Sequence, residues 1–176
     1  IGAKLDNINL IKRPIELSND TALTIDVVIH SLEENGYSKN DHILLLQPTV
    51  PYRPEKEIED FCQFYEQFKH ENFESIVSLL DVGGNHPFRF QRLLDDGRCI
   101  PYFDQGFEDM RPRQLLPKCY VRSGSYYLTK VKSLMQKKSL VNPPTKGYLH
   151  NGFEPINIDS KNELLLAEIQ LSGLSK

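Results

Sequence analysis

The stretch that most constrains this chain is an aliphatic run that ends in a proline-rich turn. Residues 43–46 read ILLL and residues 47–54 read QPTVPYRP. An uninterrupted apolar run between polar residues and a proline predicts a strand buried on both faces, as in a parallel sheet covered by helices. Such sheets bind ligands outside the carboxyl ends of their strands, so we expect Gln47, Thr49 and Arg53 at a site. The alternative is that the prolines only stiffen a connection and these side chains are solvated.

Helical and strand patterns alternate around this stretch. Residues 21–35 carry apolar side chains at helical spacing and end in Asn35-Gly36, a typical helix stop. Residues 55–68 begin with acidic residues, which suit a helix N-terminus, and continue as an apolar stripe. Residues 75–82, SIVSLLDV, predict the next strand. A strand, a helix and a strand in this order predict a parallel, right-handed βαβ unit, and hence a three-layer α/β domain.

The organisation changes after the second predicted strand. Short β-like pieces at residues 88–90 and 99–102, separated by a glycine turn, predict an insertion over residues 86–127 that part of residues 139–151 joins. The many charges of this insertion fit a lid, a dimerisation arm or an unstructured excursion equally well. A short helix is expected over residues 129–138, before two consecutive prolines end it.

The C-terminal segment supplies a second chemical signal. Residues 155–159 alternate as a strand does, which would place Asn157 and Asp159 on one face. Ser160 is expected to cap a closing helix, with Glu163 at the capping-box position. Two neighbouring oxygen side chains suit Mg²⁺, which takes few protein ligands and completes its shell with water and phosphate oxygens. Ordinary helix capping is the alternative interpretation of the same residues.

Composition excludes several classes of protein. A net charge of -3 and the lack of a basic run argue against a nucleic-acid partner. No apolar segment is long enough to span a bilayer, so we expect no membrane association. Cys62, Cys99 and Cys119 are widely spaced and form no C-x-x-C pair, so we expect reduced thiols of a cytoplasmic protein rather than metal ligands.

Three motifs, taken in order, carry a resemblance to a known family. They are residues 45–53 (LLQPTVPYR), residues 111–127 (RPRQLLPKCYVRSGSYY) and residues 156–160 (INIDS), and residues 12–17 (KRPIEL) precede them. In order and spacing they resemble the acylneuraminate cytidylyltransferases. These are the CMP-sialic acid synthetases and the bacterial relatives that activate legionaminic or pseudaminic acid. The resemblance covers nearly the whole chain, and the stretch around residues 83–89 is closer to the legionaminate-type branch.

The resemblance implies a fold and a reaction. The fold is a Rossmann-like α/β nucleotidyltransferase domain, here residues 1–176, with a mainly parallel sheet and a small arm that exchanges between the subunits of a homodimer. In the family, the anomeric hydroxyl of a nine-carbon sugar acid attacks the α-phosphate of CTP, which yields the CMP-sugar and pyrophosphate. Positioning and charge neutralisation carry such a transfer, and Mg²⁺ is the implied cofactor.

The resemblance also implies roles for individual residues. Asp159 takes the metal position with Asn157 beside it, although many family members have aspartate at both places. Arg113 would meet the carboxylate of the sugar acid, because a guanidinium fork binds a planar carboxylate bidentately. Ser123 stands where the family has asparagine, so a sugar contact would be lost or mediated by water. The implied sets are catalytic Asp159 and Arg113; sugar-binding Gln47, Arg89, Arg113 and Ser123; and nucleotide-binding Arg13, Asp20 and Thr21.

The family's first strand and the loop that wraps the CTP phosphates are expected to precede Ile1, so we expect the domain to be incomplete at its N-terminus. Two other functions fit the same residues. One is a different sugar nucleotidyltransferase that uses the same sheet edge. The other is a non-catalytic dimerising or ligand-binding relative, which the departures at Asn157 and Ser123 suggest.

Overall fold

The computed structural model of this chain describes residues 8–103 and 110–174. Residues 104–109, which belong to the predicted insertion and to the motif region before Arg111, lie outside the described residues. The helices and strands are α1 (Thr24–Asn35), β1 (His42–Leu45), α2 (Glu55–Phe68), β2 (Ser75–Asp81), β3 (Gln91–Leu93), β4 (Cys99–Pro101), β5 (Tyr120–Lys130), α3 (Val131–Lys137), β6 (Thr145–Leu149) and α4 (Lys161–Leu174). No helix in these ranges has the length and apolar character needed to cross a bilayer.

Four strands form one mixed sheet in the order β1-β5-β2-β6. β5 runs antiparallel to both β1 and β2, whereas β2 and β6 pair in parallel. Three of the four strands therefore share a direction, and their carboxyl ends meet at one edge of the sheet. The mixed α/β architecture predicted from the sequence is confirmed.

The two strands that α2 connects run in the same direction, as predicted for a βαβ unit, but they are not neighbours in the sheet. β5 lies between β1 and β2 and pairs with both. The crossover through α2 thus joins two strands of the same direction that have a third strand between them. The sequence around β1 and β2 could not indicate this strand order, because β5 begins far along the chain from β1.

The aliphatic run of β1 is also less buried than expected. Burial alternates along it: Ile43 and Leu45 are partly covered, whereas Leu44 and Leu46 expose 38% and 46% of their surface. β1 lies at the end of the strand order, so it has one strand neighbour instead of two. The apolar run therefore predicted the strand correctly but not its burial.

The core forms between α2 and one face of the sheet. Phe61 of α2 stacks on Tyr126 of β5 with ring centroids 4.3 Å apart, and meets Tyr148 of β6 edge-on at 5.2 Å. Ile76 and Leu128 complete this buried cluster from β2 and β5. Aromatic pairs in these geometries stabilise a core beyond their buried area. The helical stripe predicted for residues 55–68 is thus a packing surface.

The predicted insertion corresponds in part to a hairpin. β3 and β4 pair antiparallel, and Gly97, with a φ of +84°, lies in the turn between them. Residues 120–127 of the predicted insertion belong to β5 of the main sheet, and residues 145–149, within the range 139–151, form β6 of the same sheet. The helix expected over residues 129–138 begins at Val131, because β5 continues to Lys130.

The C-terminal helix is capped as predicted, but the strand before it is absent. Residues 155–158 have no strand assignment. The Ser160 hydroxyl accepts the Glu163 N–H at 3.4 Å, and the Glu163 carboxylate accepts the Asp159 N–H at 2.9 Å. The Ser160 hydroxyl, which donates to the Glu163 carboxylate at 2.8 Å, lowers the pKa of Glu163, and the Asp159 N–H lowers it further. The segment is held by this cap and by the Ile158 N–H, which donates to the Thr49 carbonyl at 2.7 Å.

Candidate functional site

Three segments converge at the sheet edge where β1, β2 and β6 end. A Cβ atom placed on Gly124 of β5 would lie 3.0 Å from Gln47 Oε1 and 3.8 Å from Asn157 Oδ1. Gly124 has a φ of +80°, a conformation that glycine adopts without strain. The Ile158 N–H donates to the Thr49 carbonyl at 2.7 Å and links the two outer segments. The lack of a side chain at Gly124 therefore lets two side-chain oxygens approach its backbone closely.

Arg53 shapes the loop that carries Gln47. Its guanidinium donates to three backbone carbonyls: Val50 at 2.5 Å, Gln47 at 3.0 Å and Ser125 at 3.1 Å. Burial lowers the pKa of Arg53, and the ring of Tyr126 lies 5.8 Å from its Cζ. Because these carbonyls occupy its N–H groups, Arg53 fixes the loop against β5. It is a structural residue of the site.

Asn157 and Asp159 lie side by side, as the sequence suggested. The Asn157 side-chain N–H donates to Asp159 Oδ2, while Asn157 Oδ1 is buried and finds no hydrogen-bond partner among residues 8–103 and 110–174. An orphaned buried oxygen beside an exposed carboxylate suits a hard cation that also takes water and phosphate ligands. No group of three or more His, Cys, Asp and Glu residues suited to a metal occurs in the described part of the chain. The donor set therefore fits Mg²⁺ and does not suit a metal enclosed by protein ligands.

Ser123 is placed differently from the expected sugar-binding residue. Only 4% of its surface is exposed, and its Oγ lies 2.6 Å from Ser78 Oγ and 2.8 Å from His150 Nε2. On the other side of the ring, His150 Nδ1 lies 2.5 Å from Glu57 Oε1. Ser123 also lines a cavity of about 570 Å³ between β5 and α4. Its hydroxyl is thus bonded inside the protein next to the site.

Glu57 and His150 are the residues that sequence reasoning missed. They are 93 positions apart, so no local spacing connects them. Glu57 looked like an ordinary first-turn acid of α2, and His150 like any of five histidines. Burial raises the pKa of Tyr126 to about 12, and the nearby Glu57 carboxylate adds to the shift. No signal in a single sequence would have identified this pair.

Arg89 and Arg113 lie in a neighbouring region at the end of β2. Arg113 Nη2 is 3.5 Å from Asp81 Oδ1, and both side chains are more than half exposed, at 58% and 59%. Arg113 and Asp81 line a cavity of about 510 Å³ that His86 and Lys118 also border. Arg89 Nη2 donates to the Arg111 carbonyl at 3.1 Å. Across the described residues, no hydrogen bond or ion pair joins either arginine to Gln47 or Asn157.

The three residues expected at the nucleotide are exposed and bonded locally. Arg13 Nη1 donates to the Leu17 carbonyl at 3.5 Å, and the N–H and hydroxyl of Thr21 both donate to Asn19 Oδ1. Asp20 is exposed within the same turn. Within the part of the chain that the structure describes, no hydrogen bond or ion pair brings Arg13, Asp20 or Thr21 to the sheet edge. The structure thus brings together Gln47, Ser123, Asn157 and Asp159 from the predicted set.

Comparisons with known proteins point to a distant relation. No protein-family profile matches the chain. It is 24% identical over 155 residues to an N-acylneuraminate cytidylyltransferase of Escherichia coli O18:K1:H7 (strain RS218 / NMEC), covering 88% of this chain and 35% of that protein. It is also 24% identical over 160 residues to the post-translational flagellin modification protein B of Campylobacter coli, covering 89% of this chain and 65% of that protein. This chain is distantly related to both, and it spans less than two thirds of each.

Proposed function

We propose that this chain belongs to a cytidylyltransferase that activates a nonulosonic acid, either sialic acid-like or legionaminic, with CTP. The observation that carries the proposal is the meeting of Gln47, Gly124 and Asn157 at the carboxyl edge, with a buried Asn157 oxygen that lacks a partner. The distant similarity to a protein named N-acylneuraminate cytidylyltransferase supports the nucleotide and the sugar class. CTP and a nine-carbon sugar acid are the proposed substrates, and a homodimer is the proposed assembly.

In this proposal Asp159 and Asn157 hold Mg²⁺, which when bound neutralises charge on the phosphate oxygens of CTP. The anomeric oxygen of the sugar acid forms a bond to the α-phosphorus while the bond to pyrophosphate breaks. The protein contributes by orienting the two substrates, since positioning dominates phosphoryl and nucleotidyl transfer. Gln47 would orient the sugar through its amide, whose oxygen lies against Gly124.

Arg113 of the neighbouring cavity suits the sugar acid's carboxylate. Arg113 is paired with Asp81 at 3.5 Å in an exposed ion pair, and such pairs contribute little free energy. Arg113 can therefore exchange Asp81 for a substrate carboxylate at small cost. Arg89 is proposed to assist from the turn formed by Pro87–Arg89, where it donates to the Arg111 carbonyl. Arg13, Asp20 and Thr21 are proposed to line the CTP pocket, because all three are exposed.

The test is pyrophosphate release from CTP and Mg²⁺ with N-acetylneuraminate and N,N'-diacetyllegionaminate supplied separately. We expect release with one acid and a loss of about 100-fold or more in Asp159→Ala, because the proposed metal position is removed. Asp60→Ala is the matched control, because Asp60 forms only an i,i+4 ion pair with Lys56 on α2. This control should keep full activity.

Other outcomes would redirect the proposal. Release with UTP or ATP in place of CTP would indicate a different sugar nucleotidyltransferase at the same edge. If CTP or either acid binds by calorimetry without any turnover, the chain is a ligand-binding relative. Equal activity of Asp159→Ala and Asp60→Ala would overturn the metal assignment.

A further inference from the structure

A buried network of hydrogen-bonded polar side chains lies directly behind the candidate site. It runs from Glu57 Oε1 to His150 Nδ1 at 2.5 Å, from His150 Nε2 to Ser123 Oγ at 2.8 Å, and on to Ser78 Oγ at 2.6 Å. The side chains of His150 and Glu57 are only 1% and 3% exposed. In many enzymes an acid orients an imidazole, and the imidazole contacts a serine hydroxyl. This arrangement activates the serine as a nucleophile.

The surroundings of Ser123 argue against that use. Its Oγ accepts the Ser125 N–H at 3.3 Å and shares a hydrogen bond with Ser78, so its lone pairs are already engaged. Ser78 is itself held, because it accepts the Tyr126 N–H at 2.9 Å. A nucleophile needs a free lone pair aimed at its substrate. The group is therefore fixed for orientation and not for attack.

Glu57, His150 and Ser123 of this network each lie next to one of the segments that build the site. Glu57 lies in the first turn of α2, directly after the loop that carries Gln47. Ser123 precedes Gly124 in β5, and His150 follows β6 and begins the segment that leads to Asn157. The three hydrogen-bonded side chains thus connect three segments that are distant in sequence.

We propose that Glu57, His150 and Ser123 are positioning residues that hold these three segments in the spacing needed to bind substrate. With Glu57 ionised, the proton lies on His150 Nδ1, and Nε2 accepts the Ser123 hydroxyl. A buried pair of this kind adds little stability compared with apolar groups of the same volume. Its contribution is to fix the relative orientation of the segments that it joins. This inference depends on the proposed function for the identity of the substrates.

The experiment compares Ser123→Ala with Ser75→Ala in the full chain. Ser75 is a fully buried serine on the same sheet whose Oγ donates to the Asn142 carbonyl at 2.9 Å, at the opposite end of β2. Both variants lose one buried hydroxyl, so both should lower the melting temperature to a similar extent. Only Ser123→Ala should reduce kcat/KM for pyrophosphate release, by about 10- to 100-fold, the effect of a small misplacement of reacting groups.

A second readout does not depend on turnover. Hydrogen exchange of the Gly124 and Ile158 amides should accelerate in Ser123→Ala and stay unchanged in Ser75→Ala. The same acceleration is expected in His150→Gln. If the wild type releases no pyrophosphate, the proposed function fails, and this exchange comparison alone decides the positioning role. Equal kinetics, or equal exchange, in Ser123→Ala and Ser75→Ala would overturn the inference.

Discussion

The two ends of the central sheet both bury polar side chains, but they do so differently. At the end opposite the site, Ser75 Oγ meets the Asn142 carbonyl and Thr145 Oγ1, each at 2.9 Å. Thr129 Oγ1 donates to the Leu140 carbonyl, and the Asn142 side chain donates to the Ser139 carbonyl. These groups are neutral, and residues of a single loop supply their hydrogen-bond partners. They fasten residues 139–145 to the sheet.

At the site end the buried groups include a carboxyl side chain beside an imidazole, and an oxygen without a partner. Glu57 Oε1 lies 2.5 Å from His150 Nδ1, and Asn157 Oδ1 has no hydrogen-bond partner among the described residues. Buried unpaired oxygens and buried carboxylates cost free energy, so a chain selected only for stability would not need them. The same strands therefore anchor a loop at one end and carry the candidate site at the other.

The largest expected effect tests the contact between Glu57 and His150. Glu57→Ala should lower the free energy of unfolding by about 3 kcal/mol, because removing one partner leaves a buried imidazole without its acceptor. Urea unfolding at neutral pH measures this. Glu57→Gln keeps an acceptor for His150 Nδ1 and should lose much less. Similar losses in the two variants would show that the carboxylate geometry is not what holds the network.

The next prediction separates the cost of backbone strain at a glycine from the cost of a new side-chain contact in the site. Gly124 and Gly97 have φ values of +80° and +84°, and only at Gly124 would a Cβ meet a neighbour, Gln47 Oε1 at 3.0 Å. Alanine at either position should destabilise by about 1–2 kcal/mol, the cost of left-handed backbone for a residue with a side chain. Only Gly124→Ala should also weaken substrate binding by calorimetry. Weaker binding in Gly97→Ala as well would mean that the hairpin takes part in the site.

A smaller effect is expected from a substitution at the end of the sheet opposite the site. Thr129→Val keeps the shape of the side chain but removes the hydrogen bond to the Leu140 carbonyl. It should lower the free energy of unfolding by about 1 kcal/mol and leave pyrophosphate release unchanged. Thermal unfolding and the release assay check the two parts. A loss of activity without a loss of stability would contradict the division between the two ends.

The smallest effect concerns pH. Burial lowers the pKa of both His42 and His150; nearby Lys130 lowers that of His42 further, against Asp41 and Glu74, whereas Glu57 opposes the shift at His150. The unfolded chain binds protons near its ordinary histidine pKa of about 6.5, and the folded chain does so only at lower pH. Stability is therefore full above about pH 6.5 and falls as the pH drops from there toward the folded values.

Unfolding curves between pH 7.5 and pH 5.5 test this in His42→Gln and His150→Gln. Each variant should show a shallower loss of stability on acidification than the wild type, because one histidine no longer contributes. Curves parallel to that of the wild type would show that other groups cause the acid sensitivity.

Local patterns in the sequence determined the pieces of the fold. The stripe of residues 55–68, the strand at residues 75–81 and the cap formed by Ser160 and Glu163 all occur as predicted. Each depends on residues within a few positions of one another, so spacing alone specifies it. The ordered motifs also indicated Gln47, Asn157 and Asp159 as parts of one site, and the first two lie together.

Tertiary structure decided how the pieces meet. The placement of β5 between β1 and β2, the exposure of Leu44 and the pairing of Glu57 with His150 have no local signal. Strand order depends on the free energy of the whole sheet, and a buried ion pair depends on what surrounds both partners. A sequence pattern records neither quantity, and for that reason the network behind the site emerged only from the folded chain.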